Sequence, residues 1–179
     1  DSFSSVLFLE KYWEKKPVII NNFLEDSLLN KINIDEIAGL ALEDDLVSRL
    51  VTFANKEKPE INIDYGPFSE KKLMSLDELL PWTLFIQDTE KYLPTVAELL
   101  TKFDFLPPHF LDDIMASIAG NGGSAGPHLD WYNVFIIQME GLKNWKVETS
   151  KRSFTNHNQS IHNDMELKIL KELQDFNEI

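Results

Sequence analysis

Apolar residues recur at helical spacing in the first part of the chain, where they predict several short helices. The first amphipathic stretch ends at Pro17, because proline cannot continue a helix interior. A later short helix is predicted with Ser75 as its N-cap. The predicted helical segments are residues 4–16, 26–43 (one helix or two), 75–80 and 92–102.

Runs rich in β-branched and aromatic residues predict strands, and they dominate the later part of the chain. The predicted strands are residues 18–20, 46–54, 82–87, 114–119, 128–139 and 143–147. Residues 150–163 are polar and predict a loop, and residues 165–173 fit either a helix or a mixed segment. Helices first and strands later indicate an α+β domain built around a β-sandwich or barrel.

The length of 179 residues fits one domain with a full hydrophobic core. We expect a helix-and-strand part over about residues 1–105 and the core jelly-roll strands over about residues 106–179. No apolar run approaches the roughly 18 residues that a membrane helix needs, and no signal peptide is recognisable. Cysteine is absent, which excludes thiolate chemistry and fits a reducing compartment, so we predict a cytoplasmic protein.

Negative charge is concentrated in the middle of the chain. The whole sequence carries a net charge of −13, and residues 35–150 account for −11 of it. This balance excludes a nucleic-acid-binding module held mainly by phosphate contacts and suits a basic protein partner. A solubilising acidic surface is the alternative interpretation. No Lys or Arg lies between Lys102 and Lys143, so a cation needed there must be Lys143, a histidine or a bound ion.

The segment GPHLDWYNVFIIQ holds the strongest chemical signal. In an extended strand, residues i and i+2 project to the same face, so the side chains of His128 and Asp130 should converge. One imidazole and one carboxylate make two thirds of the two-histidine, one-carboxylate site that binds non-haem Fe(II). A hydrogen-bonded His/Asp pair in a loop would leave the same sequence pattern.

Lys143 begins a predicted strand in which Lys143, Trp145 and Val147 share one face. That face has the more apolar neighbours, and a lysine turned inward needs an anion because an unpaired buried ammonium is costly. A dicarboxylic co-substrate such as 2-oxoglutarate would supply the anion. The alternative is a lysine at the rim of the sheet that extends its amine into water.

The glycine-rich stretch from Gly120 to Gly126 has the spacing of a dinucleotide fingerprint, G-x-G-x-x-A. That fingerprint must open a helix whose N-terminus holds the pyrophosphate. Pro127 and a β-rich run follow here instead, so the fingerprint is rejected. The glycines are better explained as a tight turn that precedes His128.

Four segments together resemble the JmjC-type, cupin-fold 2-oxoglutarate oxygenases, specifically the bacterial ribosomal oxygenases that hydroxylate an arginine of a large-subunit ribosomal protein. The segments are YWEKKPVIINNF at 12–23, LVSR at 46–49, PWTLFIQDTEKYLP at 81–94 and DDIMASIAGNGGSAGPHLDWYNVFIIQMEGLKNWKV at 112–147. The resemblance implies a double-stranded β-helix with surrounding helices, with Fe(II) and 2-oxoglutarate as cofactors.

The resemblance also assigns roles to individual residues. It makes His128 and Asp130 iron ligands, and it places Lys143 where the family grips the distal carboxylate of 2-oxoglutarate. Ser117 falls at a position whose hydroxyl contacts the co-substrate. Tyr132 falls near the expected substrate channel, although core packing would explain it equally well.

The family's third ligand is a histidine in a strand well downstream of the His-x-Asp pair. The histidines of this chain are His109, His128, His157 and His162, and the last two fall in the predicted polar loop. We therefore expect the third ligand beyond residue 179, and with it the closing strands of the barrel and the family's C-terminal dimerisation region. The full-length form would then be a homodimer.

The prediction is a 2-oxoglutarate- and Fe(II)-dependent protein hydroxylase that acts on an arginine of a basic ribosomal protein. One alternative is an oxygenase of the same fold with another substrate. A second alternative is a non-catalytic, cupin-like binding module, and a third is an acidic scaffold, which His128 and Asp130 on opposite faces would favour.

Overall fold

The computed structural model describes residues 3–53, 61–76, 80–148, 159–162, 167–170 and 176–178. The α-helices are α1 (Ser5–Lys11), α2 (Asp26–Leu29), α3 (Ile34–Leu40), α4 (Glu70–Met74) and α5 (Pro94–Ala97), and 3-10 helices span Thr89–Lys91, Glu98–Phe103 and Pro108–Phe110. The strands are β1 (Ser48–Phe53), β2 (Ile61–Tyr65), β3 (Trp82–Ile86), β4 (Ala116–Ala119), β5 (His128–Leu129), β6 (Lys146–Glu148), β7 (Gln159–His162), β8 (Leu167–Leu170) and β9 (Phe176–Glu178).

The chain divides into two compact units, and Leu24–Ser124 forms the first. Its centre is a four-stranded sheet with the order β2-β1-β3-β4, in which every neighbouring pair is antiparallel. Alternation along the strands sends Leu50, Leu84 and Ile86 to one face, where they are almost completely buried. Apolar residues of α3 and α4 pack against that face and close the core of this unit.

Side-chain caps mark the start of two helices of this unit, α3 and α4. Asn33 accepts a hydrogen bond from the backbone N–H of Asp35 at 2.8 Å and so caps α3. Ser69 accepts one from the backbone N–H of Lys72 at 3.2 Å and caps α4. Ser75 lies at the C-terminal end of α4, so its predicted role as the N-cap of a helix over residues 75–80 is wrong. Residues 77–79 lie outside the described part of the chain.

The second unit combines Asp1–Phe23 with Ala125–Ile179. It contains α1, a three-stranded antiparallel sheet with the order β5-β8-β7 and a two-stranded sheet formed by β6 and β9. Aromatic rings tie α1 to the segment that follows β5. The ring of Phe135 lies 5.8 Å from that of Phe8 and stacks on Trp13 at 5.9 Å.

Several predicted strands and loops differ from the structure. Residues 18–20 form no strand, and Val18 and Ile19 are exposed. Of the long run predicted at 128–139, only His128 and Leu129 are in a strand. The polar loop predicted at 150–163 contains β7, and the segment predicted at 165–173 as a helix or mixed contains β8.

The α+β class predicted from the order of the elements is confirmed by helices that accompany antiparallel sheets. The strands predicted at 46–54, 82–87 and 114–119 correspond to β1, β3 and β4. None of the helices in the described residues is long and apolar enough to cross a bilayer. The division into an N-terminal part up to about residue 105 and a jelly-roll part after it stays a prediction.

Candidate metal centre

The glycine-rich loop that precedes the candidate metal ligands is packed tightly against Trp82. The backbone N–H of Gly120 donates to the carbonyl of Trp82 at 3.1 Å, and the N–H of Gly123 donates to the carbonyl of Gly120 at 2.9 Å. A Cβ at Gly123 would overlap the carbonyl oxygen of Trp82, and one at Gly120 would overlap its indole nitrogen. Only glycine fits at these two positions without a shift of the backbone or of the indole.

His128 and Asp130 converge, as the i, i+2 spacing predicts. The Nε2 atom of His128 lies 3.6 Å from Oδ2 of Asp130, and their side chains are 25% and 29% exposed. The other ring nitrogen, Nδ1, lies 2.8 Å from the carbonyl oxygen of Gly126. One nitrogen of the imidazole is thus engaged by the backbone, while the other faces the carboxylate from a partly open position.

The geometry of this pair fits two ligands of one divalent cation. Donor atoms about 2.1 Å from a single ion stand about 3.0 to 3.5 Å apart at angles between about 90° and 110°. The observed 3.6 Å between Nε2 of His128 and Oδ2 of Asp130 therefore needs an adjustment of only a few tenths of an ångström. Imidazole with carboxylate is also a donor set suited to Fe(II).

Electrostatics favour a positive charge at this position. The neighbouring Asp130 carboxylate raises the pKa of His128 above its usual 6.5, and the Gly126 carbonyl acts in the same direction. Partial burial opposes both by disfavouring the charged ring. A metal ion would take the place of that proton between the ring and the carboxylate.

Lys143 lies partly buried, with its Nζ 5.1 Å above the ring centre of Trp145. Trp145 and Val147 are also partly buried while Asn144 and Lys146 are exposed, so the predicted alternation holds although the strand itself begins only at Lys146. Within the described residues, no carboxylate lies within 4.0 Å of the Lys143 amine. The Lys143 ammonium therefore makes a cation–π contact with Trp145, which stabilises its charge without a paired carboxylate.

The other two residues singled out by the sequence lie in different settings. Ser117 is exposed in β4, directly opposite Phe85 of β3, and belongs to the unit Leu24–Ser124. Tyr132 lies in the bend after Asp130 and is 70% exposed. An exposed ring argues against the core-packing alternative for Tyr132.

The remaining histidines do not complete the pair in the described part of the chain. His109 is exposed, with its ring 4.8 Å from that of Phe110. His162 ends β7, and His157 lies outside the described residues. Across the ranges that the structure describes, no cluster of three His, Asp or Glu side chains suited to a metal ion is present.

The Gly126 contact is the part of the site that the sequence did not predict. A glycine immediately before Pro127 and His128 was a visible signal, but its meaning depends on a backbone angle. Gly126 has φ of +76°, in the left-handed region that favours glycine, and this conformation accompanies the contact of its carbonyl with the imidazole.

Comparison with known proteins relates the second half of the chain to a protein family. Residues 98–179, which include His128 and Asp130, match the JmjC domain family. The chain thus carries JmjC-domain sequence around the candidate metal ligands, on a fold of antiparallel sheets and helices that agrees with the predicted cupin class.

Within that class its relatives are ribosomal oxygenases, so the predicted resemblance is confirmed. The chain is 34% identical over 172 residues to a probable ribosomal oxygenase of Haemophilus influenzae, covering 93% of this chain and 41% of that protein. It is 38% identical over 146 residues to the ribosomal protein uL16 3-hydroxylase of Escherichia coli, covering 78% of this chain and 36% of that protein.

Solved structures give the same relationship. The structure of YcfD, a ribosomal oxygenase from Escherichia coli in complex with cobalt and 2-oxoglutarate, has a TM-score of 0.74 and 30% identity, covering 99% of this chain and 43% of that one. An X-ray structure of E. coli YcfD has a TM-score of 0.76 and 32% identity, covering 99% and 45%. The chain spans about two fifths of the length of the relatives it matches.

Proposed function

We propose that the protein is a 2-oxoglutarate- and Fe(II)-dependent hydroxylase of a ribosomal protein, acting on an arginine. The convergence of His128 Nε2 and Asp130 Oδ2 at 3.6 Å carries the proposal, because it presents two donors of the required kind to one point. Relatives whose names state ribosomal oxygenase and uL16 3-hydroxylase activity support it, as does a similar structure that holds cobalt and 2-oxoglutarate.

His128 and Asp130 would hold the metal, and the third ligand would come from outside the described residues. Lys143 would bind the distal carboxylate of 2-oxoglutarate, which supplies the anion that this ammonium lacks among its described neighbours. The hydroxyl of Ser117 would donate to the same co-substrate. When bound together, Fe(II) and 2-oxoglutarate supply the oxidising chemistry, in which dioxygen and 2-oxoglutarate give succinate, carbon dioxide and a hydroxylated C–H bond.

The substrate proposal rests on charge and on exposed aromatic surface. The net charge of −11 over residues 35–150 favours the approach of a basic ribosomal protein. Tyr132, exposed two residues after Asp130, would line the substrate channel, where an aromatic face can attract a guanidinium. A ribosomal protein as substrate would place the activity in the cytoplasm, and we propose a homodimer for the full-length form.

The test uses the purified full-length protein with Fe(II), 2-oxoglutarate and ribosomal protein uL16. We expect succinate release together with a mass gain of one oxygen atom on an arginine of uL16. His128→Ala and Asp130→Ala should abolish both, whereas His109→Ala, at an exposed histidine whose ring is tilted against that of Phe110, should retain them.

Two outcomes would count against the proposal. Full turnover by His128→Ala would show that the imidazole is not a ligand. Succinate release without a mass gain on uL16, but with one on another molecule, would support the predicted alternative of a same-fold oxygenase with a different substrate.

A further inference from the structure

The backbone carbonyl of Gly126 lies against the imidazole that carries the proposed metal ligand. Its oxygen is 2.8 Å from Nδ1 of His128, a normal hydrogen-bond distance. A carbonyl oxygen can only accept a hydrogen bond, so Nδ1 must carry the proton in this contact. In the neutral ring the lone pair is then on Nε2, the atom that lies 3.6 Å from Oδ2 of Asp130.

We propose that Gly126 is a positioning residue that fixes the tautomer and the orientation of His128 for metal binding through Nε2. This inference rests on the proposed metal centre and adds a specific role for a backbone group next to it. Metal-binding histidines commonly donate their second N–H to a carbonyl or carboxylate, and such partners tune ligand basicity as well as ring orientation.

The local sequence Gly126-Pro127-His128 makes the contact stiff. Pro127 has its φ locked near about −65° by its ring, so few free torsions separate the Gly126 carbonyl from the imidazole. Gly126 itself has φ of +76°, a conformation that residues with a Cβ seldom adopt. Glycine is therefore the residue that brings this carbonyl to Nδ1 at low cost.

Gly126→Ala is the direct perturbation. Its Cβ disfavours the left-handed backbone, so the carbonyl is expected to leave Nδ1 and the ring to lose its fixed tautomer. Loss of such a partner typically weakens metal affinity about 10- to 100-fold. Gly126→Asn should recover much of the wild-type affinity, because asparagine tolerates the left-handed region better than alanine does.

A matched control is available in the same unit. Gly141 has φ of +72°, and nothing lies within 4 Å of the Cβ that a substitution would add. Gly141→Ala therefore introduces a similar backbone strain without touching His128. It should bind metal as the wild type does.

The experiment has two readouts on the full-length protein, and neither is turnover. Titration with Co²⁺ alone, followed by visible absorption, gives the affinity of each variant. Long-range ¹H–¹⁵N correlation of the metal-free, ¹⁵N-histidine-labelled wild type, at a pH where His128 is neutral, reports which ring nitrogen carries the proton. The His128 signals are assigned by their loss in His128→Ala.

The expected result is a proton on Nδ1 of His128 in the wild type, with cobalt binding weakened in Gly126→Ala and unchanged in Gly141→Ala. A proton on Nε2, wild-type affinity in Gly126→Ala, or an equal loss in Gly141→Ala would each overturn the inference. Failure of this inference can be told apart from failure of the proposed metal centre. If His128 were not a metal ligand, His128→Ala would bind cobalt as tightly as the wild type. If only the role of Gly126 were wrong, His128→Ala would still bind cobalt more weakly.

Discussion

Replacement of Lys143 by methionine is expected to weaken 2-oxoglutarate binding about tenfold while leaving affinity for the metal unchanged. Methionine keeps a long apolar side chain but removes the charge that would meet the distal carboxylate. A hydrogen bond to a charged group contributes about 1.5 to 3 kcal/mol. The ammonium rests 5.1 Å above Trp145, and leaving that ring for the co-substrate costs about 0.5 to 1 kcal/mol.

The difference between these two contributions is about 0.5 to 2.5 kcal/mol, which corresponds to about a 2- to 60-fold change in binding constant. The assay measures initial rates of succinate release against 2-oxoglutarate concentration in the full-length protein. We expect the change in KM rather than in kcat, because Lys143 would hold the co-substrate at the end remote from the reaction. Lys143→Arg keeps the charge and can bind a carboxylate with two hydrogen bonds, so its KM should not rise as that of Lys143→Met does.

Lys16 provides the control, since its Nζ lies 5.0 Å above the ring of Tyr12 in a similar cation–π contact. Lys16→Met removes a comparable contact and a comparable charge but should leave the KM for 2-oxoglutarate unchanged. An unchanged KM in Lys143→Met, or an equal rise in Lys16→Met, would refute the reasoning.

Three further predictions concern stability, measured by chemical denaturation. Thr83→Val should stabilise the protein by about 1 kcal/mol, because the Thr83 Oγ1 is buried with no hydrogen-bond partner in the described residues; a loss of stability would contradict this. Gly123→Ala should destabilise by more than about 1 kcal/mol through overlap with the Trp82 carbonyl, whereas Gly39→Ala, with open space in α3, should be neutral or stabilising. Partial burial raises the pKa of Asp113 above 3.8. Ionisation of this carboxyl in the folded protein therefore lowers the stability as the pH rises through the folded-state pKa. Asp113→Asn should therefore stabilise by less than about 1 kcal/mol at neutral pH, and this gain should vanish once acid protonates the wild type; an equal gain at pH 3 and pH 7 would exclude the explanation.

Strands with partners in the sheet were predictable, and apolar runs without such partners were misleading. β1, β3 and β4 arise where β-branched and aromatic runs pair with one another in register. Residues 18–20 have the same composition, yet Val18 and Ile19 are exposed and no neighbouring strand pairs with them in the described chain. Composition indicates that a segment can form a strand, but a hydrogen-bonded neighbour decides whether it does.

The run predicted at 128–139 shows the same limit at the site itself. Only His128 and Leu129 pair with a neighbour, β8, and residues 133–139 have no regular structure. The two candidate ligands nevertheless converge, because Asp130 follows the paired residues directly. The helix start predicted at Ser75 failed for a different reason, since Ser69 and Ser75 are both competent caps and only hydrogen-bond geometry selects Ser69.

The candidate ligands could be predicted from two residue types at one spacing, whereas the support for them could not. Convergence of His128 and Asp130 follows from the two-residue repeat of extended chain. The Gly126 carbonyl depends on a backbone angle of +76°, which residue identity permits but does not dictate. Backbone groups that hold a ligand leave little trace in a single sequence.

The cation–π contact between Lys143 and Trp145 also provides an intrinsic fluorescence probe of the site. The emission of an indole responds to the electric field across its ring, and an ammonium 5.1 Å above the ring centre is a strong source of that field. A dicarboxylate that draws the lysine away would shift the fluorescence of Trp145. The sequence has four tryptophans, so a difference spectrum against Trp145→Phe would isolate the signal and allow co-substrate binding to be followed without a label or turnover.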